Sequence, residues 1–390
     1  MGPLPFATIG QMNFTKYGKH FYLLAVTFVS ALLFWFAFYY NLPGRLGFPN
    51  VTLETVFSNY DGPNYMAIAK CGYDKQCLAK NFSLPQPLEY YPAHFPAFPL
   101  IIRYFDLFTT SPKAMLLAVL FGSLFLSLAS FEFFKLFVKK KSAFCLALLL
   151  VFFPARLFVL RLVGAPETWF IAATLTSIIF FHQKKYFPSA LFAVFAQTLK
   201  SPGILLFIAY ALFAVYQYYS RSASLGQLLK KYAAYLLIPL SVLPIFYLYK
   251  LQTGDFWAYF HSGDNFHLNL LPYTVFVSTK SWIHTIWLED IIYLYFFALL
   301  GVILLLKKYQ ANIITFYSIV FIISTLLVAH RDLSRYLCPV YPFLFIAFHK
   351  FFCRHSTKLA FVLLLPAIIL FAVNFVCHNT APIADWCAYL

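Results

Sequence analysis

Long apolar runs alternate with short polar segments along most of the chain. A helix needs about 20 consecutive apolar residues to cross the hydrocarbon core of a bilayer, and fewer where it is broken or buried among other helices. Eleven runs fit this description and predict an all-α polytopic membrane protein with about 11 transmembrane helices. They cover residues 20–40, 113–138, 142–160, 164–182, 186–199, 202–217, 232–250, 289–306, 311–329, 337–349 and 359–377.

Two polar segments between these runs are long. The first covers residues 41–112 and is rich in Pro, Tyr, Asn and Asp, and the second covers residues 251–288. Polar backbone can fold over a membrane surface but not through its core. We therefore expect one integral-membrane domain over residues 1–390, with short helices of both loops lying on the bundle.

The composition excludes a soluble protein. Of the 390 residues, 62% are hydrophobic and 11% are charged, whereas a soluble chain carries about 25% charged residues. The formal net charge is +16, but the basic residues lie in short clusters between apolar runs rather than among aromatic residues, as a nucleic-acid surface would require. The expected partner of this surface is a lipid bilayer and not a nucleic acid.

The charges also predict an orientation. Loops rich in Lys and Arg face the cytoplasm, and the basic clusters, such as Lys139–Lys141 and Lys307–Lys308, all fall on one side of the predicted spans. Of the 13 acidic residues, only Glu132 falls toward that side. The amino terminus is therefore predicted in the cytoplasm and both long loops outside, in a bacterial inner membrane or the endoplasmic reticulum.

The first long loop contains an acid with two interpretations. Asp61 precedes a short amphipathic stretch, and Pro63 suits a first helical turn, so one interpretation of Asp61 is a helix cap. The other is a carboxylate at the membrane surface that accepts a proton from an acceptor hydroxyl.

Six motifs, in this order along the chain, resemble those of a known family. They are Asp61-Gly62-x-x-Tyr65-x-x-Ile68-Ala69-x-x-Gly72-Tyr73, Phe95–Arg103, Gly164–Thr168, Thr198–Gly203, Thr253–Phe256 and Ser334–Pro339. Over roughly residues 55–345 the chain resembles the type C integral-membrane glycosyltransferases (GT-C). In particular, it resembles the enzymes that add the second mannose to glycosylphosphatidylinositol, and their bacterial relatives. It departs from their pattern at Tyr60 for Trp, Asn64 for His, Lys200 for Arg and Phe256 for Pro.

This resemblance implies a GT-C fold and the transfer of a sugar from a polyprenyl-phosphate donor. The sugar is expected to be mannose, and the acceptor is a hydroxyl of a glycan, lipid or protein on the outer or luminal face. Asp61 is implied as the base of an inverting displacement, and Arg335, Lys200 and Arg331 as ligands of the donor phosphate. The expected sugar and acceptor pocket contains Asn64, Tyr65, Glu167, Asp255 and Tyr336.

Structural alternatives stand beside these roles. Glu167 stands in a predicted first helical turn, where an acid is stabilised by the helix dipole. Asp332, three residues before Arg335, could pair with that arginine. Cations near the ends of spans also snorkel to the interface. Two other classes of protein fit the spans as well: a transporter or flippase of a charged lipid, and a lipid-binding scaffold without catalysis. A transporter or flippase does not account for the long first loop with its acidic motif.

Metal and cysteine patterns add little. The His residues have no metal-ligand spacing, so the sequence indicates no certain cofactor and leaves a divalent cation open. Cys71 and Cys77 share the first loop, whereas Cys377 and Cys387 share the carboxyl-terminal tail. Each pair is either a disulfide, in an oxidising compartment, or a pair of free thiols.

Overall fold

The computed structural model describes residues 18–390 except positions 50, 84, 263–270, 273–275, 277–279 and 384. This described part is helical and contains no β-strand, only an isolated antiparallel bridge between Asn59 and Thr380. The predicted all-α class is confirmed.

The described α-helices differ widely in length. In chain order they are α1 (Gly18–Tyr39), α2 (Leu42–Arg45), α3 (Leu53–Phe57), α4 (Gly62–Cys71), α5 (Lys75–Asn81), α6 (Ala97–Asp106), α7 (Ser111–Lys135), α8 (Lys140–Phe152), α9 (Ala155–Leu160), α10 (Glu167–His182), α11 (Tyr186–Leu199), α12 (Ile204–Tyr219), α13 (Leu225–Tyr232), α14 (Leu237–Leu240), α15 (Val242–Thr253), α16 (Trp287–Tyr309), α17 (Ile313–Thr325), α18 (Leu333–Tyr336), α19 (Tyr341–Ala347), α20 (His349–Phe352) and α21 (His355–His378). Short 3₁₀ turns lie at Leu88–Ala93, Ser201–Gly203, Ala233–Leu236, Ser281–His284, Cys338–Val340 and Cys387–Tyr389.

Six helical segments of the described chain are long and apolar enough to cross a membrane. Four of them are the single helices α1, α7, α16 and α21, and two are segments with interruptions, Ser201–Tyr219 and Leu225–Thr253. Shorter apolar helices lie between them, including α11 and α17. Large apolar side chains on the long helices, such as Phe21, Leu33 and Leu363, are exposed, as expected for surfaces that face lipid.

Three predicted spans are broken rather than continuous. The predicted span 142–160 is divided into α8 and α9 around Pro154, which lacks a backbone N–H and keeps the preceding residue out of the helical region. The predicted span 232–250 contains the 3₁₀ turn Ala233–Leu236 before the short helix of Pro239, and the predicted span 337–349 contains the turn Cys338–Val340 around Pro339. The predicted spans 186–199 and 202–217 are separate helices, α11 and α12, joined by the turn Ser201–Gly203 that contains Pro202.

The helix α7 forms the centre of the bundle. It packs against α1, α6, α8 and α10, and α10 in turn packs against α11. Small side chains allow these helices to approach closely, and a buried hydrogen bond of 2.7 Å joins the hydroxyls of Thr27 on α1 and Ser127 on α7.

The first long loop lies on the bundle as the short helices α2–α6. The helix α6 buries Phe98 and Ile102 and exposes Leu100 and Tyr104, an amphipathic pattern that suits the surface of a bilayer. The second loop begins at Gly254, directly after α15. Its Asp264, an acid of the sequence without an assigned role, lies outside the described residues.

The carboxyl-terminal tail returns to the first loop. The backbone N–H of Ala381 donates to the carbonyl of Ser58 at 2.7 Å, and that of Tyr60 donates to the carbonyl of Asn379 at 3.3 Å. The Asn59 side chain, which is fully buried, donates to the carbonyl of Val376 at 2.8 Å. The end of α21 and the tail therefore hold the chain directly before Asp61.

Candidate active site

Asp61 stands at the N-cap position of α4, as the sequence predicts, with Pro63 in the first turn. Its carboxylate forms no capping hydrogen bond with α4. The preceding Tyr60 has a φ of 52°, in the left-handed region that is costly for a residue other than glycine. The capping interpretation therefore does not account for this carboxylate, whose side chain is 26% exposed.

Two basic side chains face the two oxygens of Asp61. Nε2 of His94 lies 3.7 Å from Oδ1, and Nη2 of Arg335 lies 3.6 Å from Oδ2. Burial raises the pKa of Asp61, but His94, Arg335 and Lys200 together outweigh burial and hold this pKa well below its usual value. Asp61 is therefore an ionised carboxylate that a substrate can reach.

Glu167 holds two cations together. It is the first residue of α10 and is 1% exposed, and its Oε1 accepts hydrogen bonds of 2.7 Å from both Nζ of Lys200 and Nε of Arg335. Its second oxygen, Oε2, is buried without a hydrogen-bond partner among the described residues. A buried acceptor without a partner is costly, so Oε2 is available to a donor from a ligand.

Close backbone contact explains why Asp61 and Glu167 meet. A Cβ atom on Gly164 would lie 2.6 Å from Cα of Gly62 and 2.4 Å from Sδ of Met115. Only glycine fits at this crossing of α4 with the segment before α10. The glycines of two predicted motifs thus bring the acids of these motifs together.

A second ion pair, between Arg156 and Asp332, lies near the pair of Arg335 and Glu167. Arg156 pairs with Asp332, which is 6% exposed. The guanidinium groups of Arg156 and Arg335 both contact the Tyr60 ring, at 5.5 and 4.5 Å from its centre. Asp332 was the structural alternative as the partner of Arg335. The structure instead pairs Arg335 with Glu167.

The remaining predicted residues divide into two groups. Tyr65 is buried with its ring against His94, and burial together with the charges of Asp61 and Glu167 raises its pKa. Asn64 is buried beside it on α4, and Tyr336 follows Arg335 on α18.

Two predicted ligands lie apart from this cluster. Arg331 is exposed and forms no ion pair among the described residues. Asp255 in the second loop accepts hydrogen bonds from the Trp257 backbone at 2.8 Å and pairs with His261 at 2.6 Å. The structure therefore gives neither of them a contact with Asp61, Glu167, Lys200 or Arg335.

An apolar groove of about 440 Å³ lies between α6, α7, α10 and α11. It includes Trp169, two residues after Glu167, and Phe195, five residues before Lys200. The full lining is Ala97, Leu100, Ile101, Tyr104, Phe105, Phe121, Trp169 and Phe195.

The described residues contain a disulfide but no cluster of metal-ligating side chains. No group of three or more His, Cys, Asp or Glu side chains in the described chain is arranged to hold a metal ion. Cys71 and Cys77 form a disulfide between the end of α4 and α5, whereas Cys377 and Cys387 are free thiols.

The sequence motifs did not include three of the site's residues. His94 directly precedes the Phe-Pro segment but had no metal-ligand spacing to single it out. The pairing of Arg156 with Asp332 joins residues 176 positions apart, which no local pattern indicates.

Comparison with known proteins gives the fold. No protein-family model matches the chain, and no curated protein matches it. Among solved structures it is similar to ArnT from Cupriavidus metallidurans, crystallised with bound undecaprenyl phosphate, at 14% sequence identity and a TM-score of 0.57. The likeness covers 92% of this chain but 64% of the ArnT chain. The chain therefore shares the fold of ArnT. The resemblance to the GT-C glycosyltransferases, and among them to the second mannosyltransferases, stays a prediction.

Proposed function

We propose that the protein is a membrane glycosyltransferase that takes a sugar, mannose in our proposal, from a polyprenyl-phosphate donor. The observation that carries the proposal is the convergence of Asp61, Glu167, Lys200 and Arg335, from four separate segments, at one end of the bundle. The fold shared with ArnT, whose structure contains undecaprenyl phosphate, supports it.

The acidic side of the site supplies the base. Asp61 accepts the proton of the acceptor hydroxyl as the hydroxyl oxygen forms a bond to the anomeric carbon. The bond between that carbon and the phosphate oxygen breaks, and polyprenyl phosphate leaves with the electron pair. This single displacement inverts the anomeric centre and forms no covalent bond between sugar and Asp61.

The basic side binds the leaving group. Arg335 and Lys200 both donate to the Glu167 carboxylate, and Arg335 also lies 3.6 Å from Asp61. The two cations offer N–H donors to the phosphate as its charge develops. The free Oε2 of Glu167 and the buried Asn64 and Tyr65 contact the sugar hydroxyls. The apolar groove beside α10 and α11 takes the first isoprene units of the lipid.

We further propose that this site faces the outside or the lumen, with the amino terminus in the cytoplasm. The bias of Lys and Arg toward the opposite side of the spans supports this orientation. A polyprenyl-phosphate sugar is then used on the side of the membrane where the two long loops lie.

The position of the charges argues against a transporter. Transporters commonly bind substrates near the middle of the membrane, between broken helices. Here Glu167 begins α10, Lys200 follows the last residue of α11, and Asp61 precedes α4. These charges lie at helix ends, where a loop and an acceptor can reach them.

The test is donor turnover by purified protein in lipid nanodiscs. Polyprenyl-phosphate mannose with radiolabelled sugar is added with a membrane extract as the source of acceptor, and release of polyprenyl phosphate is followed together with labelled product. We expect release that depends on the protein and on the extract.

The rival functions give other results, in the same nanodiscs for a scaffold and in sealed vesicles for a transporter. A scaffold binds the donor without releasing polyprenyl phosphate. A transporter moves labelled donor across the bilayer of a sealed vesicle without cleaving it. Either result, with no release of polyprenyl phosphate, would contradict the proposed function.

A further inference from the structure

A polar groove of about 380 Å³ lies beside the segment that leads to Asp61. One wall is α3 with the residues before it, and the other is the end of α21 with the carboxyl-terminal tail. The groove shares no lining residue with the apolar groove at Trp169 or with the cluster of Asp61, Glu167, Lys200 and Arg335. The proposed function so far gives it no role.

The carboxyl-terminal tail forms this groove by returning to the first loop. Ser58 and Ala381 both line it and are joined by a backbone hydrogen bond of 2.7 Å. Further along the tail, the ring of Trp386 packs against Phe57 of α3 and against Tyr389, with centres at 6.0 and 5.5 Å. Tyr389 is itself buried, so these contacts hold the Trp386 ring in place as part of the wall.

The charge of the lining disfavours an anionic ligand. Among the described residues that line the groove, Glu54 is charged and none is Lys or Arg, although the whole chain has 29 basic residues and 13 acidic ones. A phosphate in this groove would lie near Glu54 without a cation to offset the repulsion. The ligand of the groove is therefore not the phosphate of a lipid.

The lining instead suits a ligand that is rich in hydroxyl groups. Glu54 is exposed and forms no ion pair among the described residues, so both of its carboxylate oxygens can accept hydrogen bonds. The hydroxyls of Thr55 and Thr380 line the same groove and can donate or accept. The half-buried Trp386 adds an aromatic ring. A sugar matches this combination, because it carries hydroxyls around its edge and C–H groups on its faces.

The groove also lies within reach of the proposed base. Ser58, which lines it, stands three residues before Asp61, and three residues span at most about 10 Å. The backbone between them is fixed, since Tyr60 donates to the carbonyl of Asn379. A ligand with more than one sugar unit can therefore extend from the groove to Asp61.

Resting on the proposed function, we propose that this groove binds a sugar residue of a glycan acceptor, beyond the residue whose hydroxyl reacts at Asp61. Glu54 accepts hydrogen bonds from its hydroxyls, Thr55 and Thr380 complete the polar contacts, and Trp386 packs against its C–H face. No bond forms or breaks in the groove. It selects a glycan of at least two sugar units over a lipid or protein hydroxyl, because only the glycan fills it.

The first test is the acceptor kinetics of Glu54→Gln, with the membrane extract as the source of acceptor. Glutamine removes the charge, and the fold is kept because Glu54 is exposed. We expect the extract concentration at half-maximal turnover to rise roughly tenfold. Maximal turnover and the Michaelis constant for the donor should stay within about twofold of wild type, because the reacting groups are unchanged.

Glu289→Gln is the matched control. Glu289 is also an exposed acid in the first turn of a helix, α16, but it lies outside the groove. This variant should equal wild type in every constant. Equal acceptor constants in Glu54→Gln and wild type would overturn the proposal.

Two variants of Trp386 separate sugar binding from packing of the tail. Trp386→Leu keeps an apolar side chain against Phe57 and Tyr389 but loses the flat ring, whereas Trp386→Phe keeps a ring. We expect the acceptor constant to rise several-fold in the leucine variant and to recover in the phenylalanine variant, with maximal turnover unchanged. Lower maximal turnover in both variants at an unchanged acceptor constant would mean that Trp386 only holds the tail, and would contradict the sugar site.

A native thiol reports occupancy of the groove without turnover. Cys377 lines the groove as a free thiol, whereas the exposed free thiol of Cys387 is not part of the lining. Wild-type protein in nanodiscs is labelled with a maleimide in the presence of mannotriose, maltotriose, cellotriose or inorganic phosphate, and both sites are quantified by peptide mass spectrometry. We expect at least one trisaccharide, and not phosphate, to slow labelling at Cys377 while Cys387 reacts as before.

Labelling of Cys377 that no trisaccharide slows, or that phosphate slows instead, would overturn the proposal. Protection by a trisaccharide together with an unchanged acceptor constant in Glu54→Gln would also overturn it, because the groove would then bind sugar outside the reaction. Absence of donor turnover in wild type contradicts the proposed function instead, and the labelling of Cys377 then decides alone whether the groove binds a sugar.

Discussion

Two aspartates of the first loop occupy the same local position with different results. Asp74 caps α5, and its side chain accepts a hydrogen bond of 2.8 Å from the backbone of Cys77. Asp61 caps α4 in position only, and its oxygens face His94 and Arg335 instead. A helix cap therefore accounts for Asp74, whereas Asp61 has a carboxylate left for chemistry.

This difference predicts the effect of removing each charge. Asp61→Asn keeps the shape of the side chain but cannot take a proton, so we expect turnover of the polyprenyl donor to fall by roughly 10²–10⁴ with donor binding largely kept. Asp74→Asn should turn over donor at the wild-type rate, because asparagine caps a helix as well as aspartate does. Near-normal turnover in Asp61→Asn would remove this residue from the mechanism.

Replacing Arg335 should reduce donor turnover more than replacing Arg331, which lies on the same short segment. It contacts Glu167 and Asp61, whereas Arg331 is exposed. Arg335→Ala should cost about 2–4 kcal/mol of transition-state stabilisation in donor turnover, and Arg335→Lys should recover part of it, because lysine lacks the forked donors. Equal losses in Arg335→Ala and Arg331→Ala, measured as kcat/KM for the donor, would contradict the phosphate role.

The sequence predicted more of the charged residues than of their pairings. Asp61, Glu167, Lys200 and Arg335 all lie in short motifs with recognisable neighbours, and the structure brings them together. Asp255 also lies in a motif, yet it pairs locally with His261. A motif indicates which residue types are present, but long-range packing decides which of them meet.

At the scale of helices, one backbone crossing aligns the two halves of the site. The loop before α10 passes α4 at Gly164 and Gly62, so close that a methyl group does not fit between them. Glu167 lies three residues after Gly164, and Asp61 lies directly before Gly62. This contact therefore fixes the two acids relative to each other.

Gly164→Ala should therefore separate the two acids. The added Cβ meets Sδ of Met115 and Cα of Gly62, and backbone atoms cannot yield as a flexible side chain can. We expect donor turnover to fall at least tenfold while the protein still reaches the membrane, as measured on purified protein of equal monodispersity. Gly226→Ala is the control, since a Cβ there has open space, and it should behave as wild type.

The breaks within the membrane helices were the part of the fold that the sequence predicted least well. Apolar runs located the spans, but Pro154, Pro239 and Pro339 break several of them into short helices and turns. Hydrophobicity alone does not register such breaks, because buried neighbours satisfy the interrupted backbone inside the bundle.

For the whole molecule, the charge pattern makes a prediction about orientation. Single cysteines at positions 140 and 308, in a background free of other cysteines, should resist an impermeant thiol reagent in intact cells, and one at position 385 should react. Lys140 begins α8 and Lys308 lies in the last turn of α16, whereas Asp385 is in the tail after α21. Labelling at 140 with protection at 385 would reverse the orientation.

The central claim is that the charged cluster holds a lipid phosphate beside the Asp61 carboxylate. A density map of the purified protein in nanodiscs with saturating polyprenyl phosphate tests this claim most directly. We expect the phosphate within hydrogen-bond distance of Arg335 and Lys200, with the lipid chain entering the groove at Trp169 and Phe195. Phosphate density elsewhere on the bundle, with the pairs of Glu167 to Lys200 and Arg335 unchanged, would contradict the account.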